Sequence, residues 1–143
     1  MLSGNDMSYL PAQINLGLQI LILGIVFAAW ILKKKRKLIL HGALMLVGVA
    51  LNFVSFLIVM GPSILGLEII RTQPFHEYSL IALAHAATGL IALIMGTVIV
   101  ASWKLQSSPK GCVRRKMAMR VTIVLWTIAL VLGIWFYTIL YGF

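Results

Sequence analysis

The sequence predicts an all-α integral membrane protein, a single transmembrane domain spanning 1-143 and folded as a four-helix bundle with both termini outside. Three observations carry this. Four apolar runs each reach the roughly 20 residues that the hydrocarbon core of a bilayer demands of a helix. Hydrophobic residues make up 62% of the chain and charged ones 10%, far from the balance of a soluble domain. The 12 Lys and Arg, set against 3 Asp and Glu, gather almost entirely into two short segments between runs. That is the positive-inside pattern of a multi-pass protein in the cell membrane, basic loops cytoplasmic.

The first span runs from about Ile14 to Leu32. It follows a segment that carries Asp6 and no Lys or Arg, so it reads as a retained helix and not as a signal peptide. The basic run Lys33 to Lys37 then leads into the second span, Leu38 to Met60, which Gly61-Pro62 is expected to end because proline breaks the hydrogen-bond ladder. The loop Gly61 to Tyr78 holds Glu68, Glu77 and the single basic residue Arg71, so it belongs outside. Its apolar residues Ile64, Leu65, Leu67, Ile69 and Ile70 suggest a short segment in the interface or folded over the bundle. The third span, Ser79 to Trp103, and the fourth, Val121 to Tyr141, flank the second basic segment, Lys104 to Arg120.

Trp30 and Trp103 precede the two basic loops, and Tyr137, Tyr141 and Phe143 lie near the opposite face, the places of aromatic belts. Gly17 with Gly24, and Gly89 with Gly96, are spaced seven apart and are expected to turn small faces inward on the first and third helices. Helix, tryptophan, basic loop and helix recur twice, which suggests two similar helical hairpins.

Polar side chains inside a bilayer are costly and therefore informative. At ~1.5 Å per residue, His85 lies roughly 10 Å into the third helix from outside, and Asn52, Ser55 and Gln19 reach a similar depth on the second and first helices. Such a polar pocket suits a metal, a haem edge or a quinone carbonyl; interhelical hydrogen bonding is the plainer role for Gln19, Asn52 and Ser55. His41, beside the basic run, is expected to be interfacial. His76, next to Glu77 in the outer loop, is a solvated histidine or a second ligand folded toward His85. Haem ligation by two imidazoles needs both within reach of one iron, and about 15 Å of helix rise separates His41 from His85.

No hydrolase arrangement, phosphate loop or zincin motif is present, and all three acids lie outside the spans. This speaks against proton-pumping relays and ion-coupled transport, which normally use buried Asp or Glu. The lone Cys112 cannot form an intrachain disulfide; its Arg and Lys neighbours favour its thiolate, and an inert or lipidated juxtamembrane cysteine is the alternative reading. Aromatic residues do not interleave with the basic ones, so no nucleic-acid surface is expected.

His41-Gly42 with Met45, His85, and above all the run Arg114-Arg115-Lys116-Met117-Ala118-Met119-Arg120-Val121-Thr122 continuing through Trp126, Gly133, Tyr137 and Tyr141 resemble a family of small four-helix membrane proteins, domain of unknown function 420. The resemblance covers about Leu10 to Tyr141 and implies a role in the assembly of haem–copper terminal oxidases, with membrane histidines as metal or haem ligands. Leu57 to Met60, and Cys112 with Val113, stand where that family often carries further histidines. The expectation is a non-enzymatic accessory or assembly protein of a membrane respiratory oxidase complex, working among other membrane subunits. The alternatives are a small b-type haem electron carrier and a structural subunit without cofactor. Haem b and copper are the candidate cofactors, with His85 and His76 as candidate ligands.

Overall fold

The computed structural model describes residues 6–66, 68–103 and 115–141, with backbone alone for 6–9, 68, 69 and 141. Cys112 and Phe143, and the side chains of Asp6 and Tyr141, lie outside what is described. The elements in order are α1 (Asp6–Lys34), α2 (Leu38–Ser55), a π turn (Phe56–Met60), α3 (Gly61–Gly66), α4 (Glu68–Thr72), α5 (Glu77–Trp103) and α6 (Lys116–Tyr141). Among the described residues four stretches are long and apolar enough to cross a membrane: Leu10–Lys34, Leu38–Gly66, Glu77–Trp103 and Lys116–Leu140. Helices therefore alternate in direction, and Asp6 and Tyr141 lie at the end of the bundle opposite Lys34 and Trp103.

The second span does not stop at Gly61-Pro62. It continues through α3 to Gly66, because the turn before the proline is widened: the Gly61 N–H bonds back to the Phe56 carbonyl, five residues earlier. A proline ring collides with the carbonyl four residues before it in a regular helix, and the π turn moves that carbonyl aside. The connection between the second and third spans is then short. It consists of α4 and a turn in which the His76 N–H and the Ser79 hydroxyl both bond the Gln73 carbonyl, at 3.1 and 2.8 Å. The first span likewise starts earlier than Ile14, with Pro11 inside α1, and α6 takes in Lys116 to Arg120.

Packing follows the predicted hairpins. α1 lies along α2 and α5 along α6, whereas contact between the two pairs is sparse and runs chiefly between α2 and α5. The buried apolar residues among those described are mostly small: Ala29, Ala82, Ala92 and Ala129 with Ile22 and Trp103. Large side chains such as Ile14, Phe27, Ile58, Val98 and Val131 point outward and are more than half exposed. In lipid those faces are solvated by acyl chains, so close backbone packing, and not burial of bulk, holds the helices together. Hydroxyls on the spans bond their own helices, as in Thr97 to Leu93 O at 2.8 Å and Thr127 to Ile123 O at 2.8 Å, leaving no donor facing hydrocarbon at those positions.

Two expectations about faces are corrected. Gly17 and Gly24 look outward, with nothing within 4 Å of where a Cβ would sit. The inward stripe of α1 is Gln19, Ile22 and Ala29, and Gly17 is two residues, about 200°, away from Gln19 around the helix. Gly89 and Gly96 do face inward, the latter against Val49 and Thr122. Trp103 is no belt anchor, being 5% exposed. Gly42 lacks the Cβ that would occupy the Trp103 ring position, so the indole fits into α2. Trp30 does sit outside, stacked on Phe27 with the Lys34 ammonium 3.7 Å over its ring.

Candidate functional site in the cavity between the hairpins

Sparse contact between the hairpins leaves a cavity of ≈ 270 Å³ lined by residues from all four spans. One level of its wall is polar. The Gln19 amide nitrogen donates to Asn52 Oδ1 at 3.1 Å and to the Ser55 hydroxyl at 3.3 Å, and Ser55 donates in turn to Asn15 Oδ1. These four residues tie α1 to α2 on one level. Gln19 and Ser55 are buried, and Asn15, Gln19 and Asn52 all reach the cavity wall.

His85 faces the same cavity from α5. Its Nδ1 lies 2.7 Å from the Ala129 carbonyl of α6. A carbonyl only accepts, so Nδ1 carries the hydrogen and the neutral ring keeps the lone pair on Nε2. Gly133 makes the bond possible: a Cβ there would stand 2.8 Å from Cε1 and 3.0 Å from Nδ1 of the imidazole. The ring thus lies against the bare backbone of α6, with Nε2 uncommitted among the described residues.

His41 uses the same device at the other end of the molecule. Its Nδ1 meets the Ala29 carbonyl of α1 at 2.8 Å, and its ring stands edge-on to Trp103 with centroids 6.4 Å apart. It lies in the first turn of α2 beside the basic run and is buried within the bundle. The Trp103 indole N–H beside it has no partner among the described residues.

His76 is not brought to the cavity wall. Its Nδ1 accepts the Tyr78 backbone N–H at 3.4 Å, and its ring packs on Tyr78 at 4.8 Å. Among the described residues no three His, Cys, Asp or Glu gather as metal ligands. The structure therefore brings Gln19, Asn52 and His85 to the wall of one space, with Ser55 bonded to Gln19 beside it, and leaves His41 and His76 elsewhere. Asn15 completes the cluster and was legible, since it stands four residues before Gln19 on the same helical face. Ala129 was not, because a backbone acceptor has no signature in residue type.

Comparison with protein-family models, with curated proteins and with solved structures finds no match to this chain.

Proposed function

We propose that this chain is a non-enzymatic accessory or assembly protein of a membrane respiratory oxidase complex, oriented in the cell membrane with its basic loops cytoplasmic, and that His85 is the residue through which it acts. The resemblance of the Arg114 to Thr122 run and its continuation supports the oxidase context. One observation carries the choice of residue: His85 is fixed through Nδ1 on the Ala129 carbonyl and has Nε2 free at a cavity wall. Histidines that ligate a metal are commonly held in this way, by a hydrogen bond from the other ring nitrogen.

The residues present do not fit a two-histidine haem within one chain, because His76 turns to Tyr78 and His41 is bound to Ala29. Any metal handled by His85 on this reading completes its ligands from a partner subunit. Deleting the protein should leave the oxidase polypeptides present but inactive, and His85→Ala should reproduce the deletion. Full oxidase activity in both strains would overturn the reading. A reduced-minus-oxidised Soret band in the purified protein, lost in His85→Ala, would move the assignment to a haem carrier.

A further inference from the structure

We propose that the cavity is a binding site for a neutral lipid with an oxygen headgroup and a single long tail, the chemistry shared by quinones, prenyl alcohols and monoacylglycerols. This goes beyond the assembly reading and does not depend on it.

The shape comes first. The cavity is wider than the ~150 Å³ that suffices for benzene in an apolar protein interior. It is also elongated along the helices. From the polar level it extends toward the basic-loop side, on α5 from His85 to Gly96 and on α6 from Gly133 to Thr122, each about 16 Å at ~1.5 Å per residue. That stretch is walled by Ile22, Val49, Leu93 and Trp126, side chains that suit a hydrocarbon tail. At ≈ 270 Å³ the space takes one chain and not the paired chains of a phospholipid.

The headgroup follows from the polar level. Among the described residues no Asp, Glu, Lys or Arg lines the cavity, so a phosphate or carboxylate there finds no counter-charge in hydrocarbon. What the wall does offer is hydrogen bonding of both kinds. Asn52 spends its carbonyl oxygen on Gln19 and keeps its amide donors, and His85 keeps the Nε2 acceptor. A neutral carbonyl can accept from the Asn52 amide, and a hydroxyl can do so too or donate to His85 Nε2. The polar atoms stand partway along the cavity, which also reaches past them to Ala12, Ile64 and Leu140, and the apolar stretch toward the basic loops is the place for the tail.

The test uses the full-length protein in mild detergent, titrated with decylubiquinone, farnesol or monoolein while tryptophan fluorescence is followed, since Trp126 is on the wall. Phosphatidylglycerol is the charged control. Saturable one-to-one binding is expected for at least one of the three neutral probes, and which one binds identifies the source of the headgroup. Removing the amide with Asn52→Leu, or filling the slot with Ala86→Phe, should each weaken binding by about tenfold, the worth of one good hydrogen bond or less. Ala86→Phe leaves the polar cluster intact, so it decides the matter if Asn52→Leu does not fold. The proposal is overturned if none of the three binds saturably, if binding survives in the folded variants, or if phosphatidylglycerol competes equally well.

Discussion

One glycine decides where the His85 contact can form, and another seats the Trp103 ring beside His41. At Gly133 an added methyl would lie 2.8 Å from His85 Cε1, a distance that forces the ring off the Ala129 carbonyl. Gly133→Ala should therefore cost about 1 to 3 kcal/mol, as overpacking does, measured as a fall in the detergent melting temperature. The same substitution in a His85→Ala background should cost close to nothing, and simple additivity of the two would refute the contact. Gly42→Ala is more severe, because its Cβ would fall 1.1 Å from a carbon of the Trp103 ring. Folded yield should collapse in that variant and return when Trp103→Leu is added. The polar residues of the site were legible in the sequence, since a Gln, an Asn and a His within apolar runs stand out by type. The glycines were only half legible: a spacing of seven marks a face without saying which way it points, and Gly17 and Gly24 point outward.

Between α1 and α2 the chain turns on a residue in the left-handed conformation, Arg36 with φ 58°. Arg36 N–H bonds Lys33 O at 3.1 Å and Lys37 N–H bonds Leu32 O at 3.0 Å, the paired bonds of a Schellman cap. Glycine is the usual residue there, and a side chain at positive φ costs about 1 kcal/mol. Arg36→Gly should raise stability by about that amount, and Arg36→Val should lower it. An unchanged melting temperature in both variants would show that the turn is not strained. The sequence located this turn by charge alone, and the five basic residues concealed the cap chemistry. The π turn at Phe56–Met60 was illegible for a related reason: the rule that proline ends a helix is drawn from water, whereas in lipid the unsatisfied ends of a broken helix favour a rearranged ladder over a stop.

At the scale of the molecule, four spans in two hairpins could be read in advance because hydropathy belongs to a whole segment and tolerates errors in single residues. The space between the hairpins could not, since it depends on how far apart the pairs stand. Orientation is tested at Cys112: in intact cells it should resist a membrane-impermeant thiol reagent and should react in inverted vesicles, the reverse result placing the basic loops outside. Each hairpin also contains one alanine whose carbonyl, in addition to its place in the helical ladder, accepts an imidazole: Ala29 in the first and Ala129 in the second. A carbonyl with two hydrogen bonds stretches at a lower frequency than its neighbours. Isotopic labelling of either alanine therefore gives the protein a built-in infrared reporter, one at each end, whose band shifts upward when its histidine lets go.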